Sequence, residues 1–371
     1  MSKKITYIIS NIDKALVFEW TAEALQNTNF ELSFILLNPK ESTLENYLAS
    51  KNIRVKRIHL RTKKDIPFAL LKTYLTLKKW KPDVVHCHLF EASLVGLFAA
   101  KLASIPKRVY TRHHFLYHWE ENPKAVKYDV WCNQWATHIV VLTQRMGEFL
   151  IENENAVSEK IRFIPHGFRF ETWQQVDFQK TKILKSKYNC DNQYPVIGVI
   201  ARWVKEKGVE YIIPAFKKIL QDYPNAKLLL ANARGIYKPR IQALLQDIPQ
   251  KNYQVIEFEP DIANLYALFD IYVHVPTGPD KEPFGQTYIE ALFAQKPCIF
   301  TLSGIAHSFI EHEKNALVVP YCDSEAIYQS CIRLLNEPEL AKNLALNGYD
   351  TVTKLFSLEQ MIEKLKSLYA E

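Results

Sequence analysis

The sequence predicts an α/β protein that contains two parallel β-sheets, each in a domain of its own. Short apolar runs of strand length alternate with longer amphipathic stretches, which is typical of a parallel sheet covered by helices. The chain has 371 residues, more than one hydrophobic core usually supports, so we expect two domains. The clearest unit runs from Ile271 to Phe300, where a strand, a polar loop, a helix and a second strand follow one another. Ligands of such sheets bind where strands end and helices begin.

Composition and charge exclude several classes of protein. With 48% hydrophobic and 23% charged residues, the chain has the composition of a soluble globular protein. No segment reaches the roughly 18 uncharged apolar residues that a membrane span needs, and the amino terminus does not resemble a signal peptide. The six cysteines form no C-x-x-C pair, which predicts buried reduced thiols in a cytoplasmic protein. The net charge of +7 suggests an anionic partner, but no motif for nucleic-acid recognition is present.

Residues 1–170 are predicted to form one Rossmann-like domain. Its predicted strands are Ile5–Ser10, Phe30–Leu37, Ile53–Ile58, Val84–Cys87, Arg108–Thr111, His138–Val141 and Ile161–Ile164. Its predicted helices are Ala15–Gln26, Phe68–Trp80, Glu91–Ala103 and Gln144–Glu152. The first turn, at residues 11–14, carries no glycine, and the chain has no G-x-G-x-x-G, so we exclude a dinucleotide-binding site of that kind.

Two strand ends in this domain carry histidines. His86 and His88 belong to one strand and point to the same side of the sheet, because side chains alternate along a strand. His113 and His114 follow the next strand. A structural role, in which the ring bonds the backbone of a loop, is the interpretation we favour for His86, whereas His88 stays open between structure and function. A metal site that includes Cys87 is the rival interpretation, but the spacing suits neither a closed zinc site nor H-E-x-x-H.

The stretch from Lys51 to Lys81 holds eleven basic residues and a single acidic one, Asp65. Apolar residues are interleaved with the lysines from Pro67 to Leu77. Such a segment could contact an anionic membrane peripherally, since each charge near the surface adds about 1 kcal/mol. The alternative is an ordinary helix that faces the core and exposes a solvated basic side, and such helices are the more common case.

The second domain is predicted to span residues 190–354. It opens with a buried strand, Val196–Ala201, followed by Arg202 and Lys207. Two cations that converge at a strand end can stabilise a diphosphate leaving group, and a basic turn with solvated charges is the alternative. A strand at Lys227–Ala231 then leads to the glycine-poor loop at 232–235.

A nine-residue segment in the loop and helix after Val275 concentrates the candidate chemistry. Glu282 and Glu290 stand at its two ends, with Phe284 and Gly285 between them. The two carboxylates, one in the loop and one about two turns into the helix by the 1.5 Å rise, could hold hydroxyl groups. Glycine lets a ligand approach the backbone, and the first N–H groups of the helix favour negative charge. The alternative is an amphipathic helix with a solvated glutamate at each end.

These residues resemble the signatures of retaining glycosyltransferases of family 4 (glycosyl transferases group 1). The E-x7-E of Glu282 and Glu290 and the R-x4-K of Arg202 and Lys207 match the family's donor motifs. The resemblance implies a GT-B fold, with two Rossmann-like β/α/β domains facing each other across a cleft. It also implies that the last helix, about residues 355–371, packs back on the first domain. The segments that end in His88 and His113 are similar to strand ends of the family, whereas the loops at 11–14 and 232–235 lack its usual glycines.

The resemblance also implies a role for each matching residue. Arg202 and Lys207 would hold the donor diphosphate, and Glu290 would bond the ribose. Glu282, with the backbone of Phe284 and Gly285, would hold the transferred sugar. The implied catalytic residues are His113, near the anomeric carbon, and Glu282; on the acceptor side the candidates are His88 and His114.

The implied reaction moves a sugar from a UDP- or GDP-sugar to a hydroxyl of a glycan or lipid-linked acceptor, with retention of configuration. No cofactor is expected, and no metal either, since the chain has no D-x-D motif. The expected location is cytoplasmic, with peripheral contact to an anionic membrane through residues 51–81 and no nucleic-acid partner. Two alternatives remain: a nucleotide-sugar 2-epimerase on the same fold, and a non-catalytic sugar-binding or scaffold protein.

Overall fold

The computed structural model describes residues 2–26, 28–172 and 176–371, and the chain in it divides into two compact units. The first unit consists of residues 1–168 together with Leu358–Glu371, and the second is Arg169–Ser357. Each unit contains one parallel β-sheet covered by helices, so the predicted fold of two Rossmann-like domains is confirmed.

The first unit is built on a seven-stranded sheet. Its strands are β1 (Lys3–Ser10), β2 (Phe30–Leu37), β3 (Arg54–Ile58), β4 (Val84–His88), β5 (Lys107–Arg112), β6 (His138–Val141) and β7 (Ile161–Phe163). Its helices are α1 (Leu16–Gln26), α2 (Thr43–Ser50), α3 (Ile66–Trp80), α4 (Phe90–Leu102), α5 (Tyr117–Glu121), α6 (Val126–Trp135) and α7 (Gln144–Asn153).

The second unit is built on a six-stranded sheet. Its strands are β8 (Val196–Ile200), β9 (Lys227–Ala231), β10 (Tyr253–Ile256), β11 (Ile271–His274), β12 (Cys298–Phe300) and β13 (Leu317–Val318). Its helices are α8 (Phe178–Lys187), α9 (Val209–Asp222), α10 (Lys238–Leu245), α11 (Ile262–Ala267), α12 (Gln286–Phe293), α13 (Ser324–Asn336) and α14 (Pro338–Leu355). The chain ends with α15 (Leu358–Ala370).

Strand order places a binding position in each sheet. The first sheet has the order β3-β2-β1-β4-β5-β6-β7, and the second has the order β10-β9-β8-β11-β12-β13, with parallel pairing throughout. In both sheets the direction of strand addition reverses beside the unit's first strand, between β1 and β4 and between β8 and β11. Open α/β sheets bind ligands outside the carboxyl ends of the strands at this reversal.

The helices follow from the apolar periodicity that predicted them. In α9 the side chains of Val209, Ile212, Ile213, Phe216 and Ile219 are buried, which is the spacing of one helix face. The strands of this sheet carry almost uninterrupted apolar residues, as expected for a parallel sheet with helices on both faces.

The last helix belongs to the core of the first unit. Leu358, Ile362, Leu365 and Leu368 of α15 pack with the apolar residues of β1 and β2. The hydroxyl of Tyr369 is hydrogen-bonded to the hydroxyl of Tyr7 at 2.6 Å. The first sheet therefore takes part of its core from the end of the chain.

Most predicted strands and helices are confirmed within one or two residues, but the prediction missed α2, α5, α6 and α10. Six thiols are free, and five of them are buried. The prediction of buried cysteines is wrong for Cys322, which is exposed because it lies in the turn before α13 and not in a strand. In the described part of the chain, none of the helices has the length and apolar composition needed to cross a membrane.

Candidate functional site

The turn after β8 places Arg202 and Lys207 at the reversal point of the second sheet. Trp203 is fully buried, and its backbone N–H donates to the carbonyl of Arg234 at 2.9 Å, which fixes the turn. Arg202 beside it is exposed, and its guanidinium has no side-chain partner among the residues that the structure describes. One predicted phosphate ligand is therefore available to solvent.

Gly208 brings this turn against the end of β11. Its φ is +66°, and a Cβ built on it would lie 2.0 Å from the carbonyl oxygen of Val275. Only glycine fits so close an approach in a left-handed conformation. Next to it, the N–H of Thr277 donates to the carbonyl of Glu206 at 2.9 Å. The two loops that flank the reversal point are thus held together by their backbones.

Glu282 lies at the centre of a buried network in the loop after β11. Its carboxylate forms an ion pair with the ammonium of Lys207. The same oxygen, Oε1, lies 2.9 Å from Nε2 of His274, at the end of β11. The backbone N–H of Glu282 donates to Oγ of Ser303 at 3.0 Å. The structure therefore brings together two of the predicted donor residues, Lys207 and Glu282.

This network holds Glu282 in its ionised form. Burial alone would raise the pKa of Glu282, but the ammonium of Lys207 and the hydrogen bond from His274 outweigh it and lower the pKa to about 2. Burial lowers the pKa of His274, although Glu282 opposes that shift. At neutral pH the carboxylate is charged and can accept hydrogen bonds from hydroxyl groups of a ligand.

Gly285 and the backbone of Phe284 also have structural roles, which were not predicted from the sequence. Gly285 has a φ of +96°, and a Cβ there would lie 2.6 Å from the ring of Tyr288. The carbonyl of Phe284, which is buried, already accepts a hydrogen bond from the N–H of Ile305 at 2.9 Å. Because Gly285 offers no side chain to cap α12, the first N–H groups of that helix can face a negatively charged ligand.

Glu290 lies in a separate environment. Helix α12 begins at Gln286, so Glu290 is about one turn into the helix and not two, since the Pro-Phe-Gly segment remains in the loop. Its carboxylate accepts a hydrogen bond from the hydroxyl of Tyr266 on α11 at 3.2 Å. Burial raises the pKa of Glu290 to about 7, even though the bond from Tyr266 acts in the opposite direction. At neutral pH this carboxyl group titrates.

An asparagine takes a left-handed backbone conformation at the start of each glycine-poor loop. Asn11 has a φ of +50° and Asn232 a φ of +58°, so an asparagine occupies the left-handed conformation at each strand end. Asparagine tolerates this region better than most residues. In the second loop, Gly235 has a φ of +149°, and a Cβ there would lie 2.2 Å from the carbonyl oxygen of Trp203. The missing glycines therefore do not abolish either turn.

In the first unit, His86 has the structural role that we expected, but its ring bonds two side chains and not the backbone of a loop. Its Nδ1 lies 2.6 Å from the hydroxyl of Tyr369, and its Nε2 lies 2.8 Å from Oγ1 of Thr111. Burial lowers the pKa of His86 to about 3, so the ring is neutral.

His88 and His113 lie together at the carboxyl ends of β4 and β5. Nδ1 of His88 is 3.2 Å from Nε2 of His113. The ring of His113 also stacks on the ring of His166, with 5.7 Å between the ring centroids. Nε2 of His88 is buried without a hydrogen-bond partner in the described residues, beside a cavity of about 30 Å³. Burial is the main cause that holds the pKa of both rings well below the usual range, and the neighbouring histidines lower it further. Both rings are therefore neutral at pH 7.

His114 belongs to a different network. Its Nε2 lies 3.2 Å from Oδ1 of Asp129, and His118 binds the other oxygen at 2.6 Å. These three residues offer ligand atoms close enough together for a metal ion. However, the guanidinium of Arg112 lies 2.7 Å from Oδ1 of Asp129 and also binds Glu154. That cation neutralises the carboxylate and opposes a second positive charge at the same oxygen.

Three hydrogen-bond partners of the candidate residues were not predicted from the sequence. His274 reads as part of a buried strand, and its position just before the motif loop was the available signal. Tyr266 and Asp129 lie in helices, and nothing in their spacing links them to Glu290 or His114. Such pairs depend on how helices pack, which local patterns do not encode.

Two protein-family models match the chain. One is described as glycosyl transferases group 1 and matches residues 180–351. The other is described as glycosyltransferase family 4 and matches residues 19–171. Together they cover most of both units.

Individual proteins give the same assignment. The capsular polysaccharide biosynthesis glycosyltransferase CapM of Staphylococcus aureus is 28% identical over 318 residues, which cover 81% of this chain and 80% of that protein. The alpha-monoglucosyldiacylglycerol synthase of Acholeplasma laidlawii is 25% identical over 315 residues, with coverage of 80% and 77%. The crystal structure of Anabaena Alr3699/HepE in complex with UDP-glucose superposes with a TM-score of 0.83 at 18% identity, and covers 99% of this chain and 100% of that one. The chain therefore belongs to glycosyltransferase family 4 and is a glycosyltransferase of the GT-B fold.

Proposed function

We propose that the enzyme transfers a sugar from a nucleoside-diphosphate sugar to a hydroxyl group of a saccharide or lipid-linked acceptor, with retention of anomeric configuration. The observation that carries this proposal is the buried network of Lys207, Glu282 and His274 at the reversal point of the second sheet. A cation, an ionised carboxylate and open helix N–H groups at one strand edge suit a ligand that combines phosphates with hydroxyls.

The donor half of the proposal assigns a role to each group. Arg202, exposed and unpaired among the described residues, and Lys207 bind the diphosphate and stabilise the charge that grows on it as the glycosidic bond breaks. Glu282 accepts hydrogen bonds from hydroxyls of the transferred sugar, since its low pKa keeps it charged. Glu290 binds the ribose hydroxyls.

The proposed chemistry at the acceptor follows from the histidines. A neutral ring at His113 can accept a hydrogen bond from a hydroxyl group without placing a positive charge near an electron-poor anomeric carbon. Because Glu282 is engaged by Lys207 and His274, we propose that the sugar passes directly to the acceptor and that the departing phosphate takes the acceptor's proton. Retention is the outcome that the family suggests for this route.

We also propose a UDP-sugar as donor and peripheral binding to an anionic membrane. The bound UDP-glucose of the Anabaena neighbour and the glycolipid named as product of the Acholeplasma relative support these choices. On α3, the side chains of Phe68, Leu71 and Leu75 are 54%, 53% and 55% exposed, although the opposite face of the helix is buried. An apolar stripe among lysines is typical of a helix that lies in the membrane interface.

The test of the function is a thermal-shift panel of UDP-, GDP- and ADP-sugars, followed by detection of the transferred sugar by mass spectrometry. A ligand at 100 times its dissociation constant adds about 2.7 kcal/mol to stability, which shifts the melting temperature measurably. We expect a UDP-sugar to stabilise the protein and Glu282→Gln to abolish transfer. Failure of every nucleotide sugar to bind would refute the proposal.

The same samples address the two alternatives. Isomerisation of the donor sugar in the absence of acceptor would indicate an epimerase, an interpretation that the named relatives do not support. A cell-based function that survives Glu282→Gln and Arg202→Ala together would indicate a non-catalytic scaffold. We expect neither result.

A further inference from the structure

A groove of about 1250 Å³ lies in the first unit along helix α4. Its floor is formed by Leu94, Val95 and Phe98 of α4, and helices α3 and α6 form its walls. From Phe90 to Phe98 the helix rises about 12 Å, so the groove is elongated. Its volume exceeds the range of roughly 300–1,000 Å³ that is usual for pockets of small ligands.

One side of the groove is aromatic and follows the length of α6. The rings of Tyr128, Trp131, Trp135 and Phe98 form a continuous row, with centroid distances of 5.3, 5.9 and 4.8 Å between successive rings. Trp131 is 41% exposed although its ring faces this row. An open apolar surface of this extent in a protein otherwise well packed marks a site of interaction.

The end of the groove at the starts of α3 and α6 is basic, and there the ammonium of Lys127 lies 5.1 Å from the centroid of the Tyr128 ring. Lys63 lies before the start of α3, and Lys124 and Lys127 lie at the start of α6, so all three are near the carboxyl edge of the sheet. None of the three pairs with an acidic side chain among the residues that the structure describes. The acidic residue that shares this end, Glu91, accepts a hydrogen bond from Ser10.

We propose that this groove binds an acceptor lipid, with its hydrocarbon chain along α4 and its anionic phosphate against Lys63, Lys124 and Lys127. The inference rests on the proposed function and names the class of acceptor: a long-chain lipid phosphate or a sugar linked to one. Charge and polarity are complementary to such a lipid, because the lysines face the phosphate and the aromatic row faces the chain.

The geometry favours a lipid over a free saccharide. A saccharide of this length needs hydrogen-bond partners along its course, but Leu94, Val95 and Phe98 offer none. The polar end contains Asn11 and His113, at the carboxyl ends of the strands where the sheet binds ligands, so the reactive head would lie there and the chain would lie away from it.

Helix α3 contributes residues both to the groove and to the exposed apolar stripe. Ile66, Pro67 and Leu70 of α3 line the groove, whereas Phe68 and Leu71 of the same helix form the exposed apolar stripe. A lipid that leaves the membrane beside this stripe would enter the groove without its chain crossing water.

The experiment uses the full chain and a polyprenyl phosphate that carries a photoreactive diazirine in its chain, in detergent micelles. After irradiation, mass spectrometry maps the labelled residues; we expect them on α4 and α6, within the groove. A matched probe with the same chain and a neutral hydroxyl in place of the phosphate should label about tenfold less, the equivalent of one charge-assisted contact.

Two matched pairs of variants complete the test. Leu94→Trp fills the groove floor, and Leu102→Trp makes the same change at an exposed position of the same helix outside the groove. Lys124→Glu reverses a charge at the basic end, and Lys101→Glu does so elsewhere on the surface. We expect the first member of each pair to lose about tenfold in labelling, because the larger ring takes up space that the chain needs and the charge reversal removes a contact to the phosphate. The second member of each pair should label as wild type does.

Labelling outside the groove, or full labelling of Leu94→Trp, would overturn the inference. So would a wild-type dimer that Leu94→Trp converts to a monomer without change in lipid labelling, since a second copy of the chain would then cover the groove. Binding of UDP-glucose, followed by thermal shift in every variant, is expected to be unchanged. Loss of lipid labelling with donor binding intact reports on the groove alone, whereas absence of donor binding in the wild type reports on the proposed function.

Discussion

Lys207 and Glu282, 75 residues apart in the sequence, form an ion pair between the turns that follow β8 and β11. Their side chains are only 14% and 7% exposed. A pair this far removed from water is costly to break, because each charge would be left without compensation. The pairing also explains why these two residue types occur together at the reversal point of the second sheet.

The first prediction concerns the stability that depends on this pair. Lys207→Ala removes the counter-ion of a buried carboxylate, which keeps only its hydrogen bond with His274, and should lower the free energy of unfolding by about 3–5 kcal/mol. Adding Glu282→Ala to Lys207→Ala should restore part of the lost free energy of unfolding, because the buried carboxylate is then removed as well. Urea denaturation of the single and double variants measures the coupling. The exposed pair of Lys217 and Asp247 is the control, and Lys217→Ala should cost no more than about 1 kcal/mol. Equal losses at Lys207 and Lys217 would contradict the prediction.

The second prediction compares the contributions of Arg202 and Lys205, two exposed cations in the same turn, to donor binding. Arg202→Ala should weaken binding of a UDP-sugar by roughly 10- to 150-fold, because it removes charge-assisted hydrogen bonds to the diphosphate. Lys205→Ala, a change at another exposed cation of the same turn, should leave the affinity within about twofold of wild type, as expected for a screened surface charge. Isothermal titration calorimetry gives both values. A result in which Lys205 mattered and Arg202 did not would invalidate the assignment of roles.

The third prediction is a dependence of stability on pH that comes from Glu290. Its pKa is raised from 4.5 to about 7 in the folded protein, so between these values the folded state binds more protons than the unfolded state. Its contribution to stability is therefore full below about pH 4.5 and is lost as the pH rises to about 7, by up to about 3 kcal/mol. Glu290→Gln should gain stability relative to wild type by that amount between pH 5 and pH 8.

The measurement for Glu290 is urea denaturation at both pH values, and the quantity compared is the difference between variant and wild type. Glu339→Gln, at an exposed position in the first turn of α14, is the control and should show the same difference at pH 5 and pH 8. A constant difference for Glu290→Gln as well would show that the carboxyl group is already ionised at pH 5.

The fourth prediction concerns the exposed stripe of α3. Replacing Phe68, Leu71 and Leu75 together by serine should reduce sedimentation with vesicles that contain an anionic phospholipid by more than tenfold, because each apolar side chain contributes about 1.5–3 kcal/mol on burial. The control replaces Phe178 and Ile183 of α8, which are 77% and 65% exposed, and should leave vesicle binding unchanged. Equal binding by the α3 variant and wild type would argue that the stripe has another role.

The fold could be predicted from the sequence to a large extent because its signals are local. The apolar runs of β1 and β8 and the helical period of α9 identify their elements without knowledge of the partner strands. Helix α6 was missed because its buried residues include Asp129 and Asn133, so its core face does not read as apolar. The groove that α6 lines was therefore hidden as well.

Part of the candidate site could be predicted from the sequence. The motif residues could be named, but the pairing of Lys207 with Glu282 depends on β8 lying next to β11, which strand order alone decides. The role of His274 as a partner of Glu282 and the raised pKa of Glu290 both arise from burial among residues distant in sequence. Physical interactions of this kind exist only once the chain has folded.

Because the hydroxyl of Tyr369 meets His86 and Tyr7 in the middle of the first sheet, this unit is completed by a helix that is synthesised after the whole of the second unit. During translation the strands of the first unit remain without α15 until all of Arg169–Ser357 has been synthesised. A nascent chain stalled within that interval would expose to chaperones the apolar residues of the first sheet that α15 covers in the folded unit.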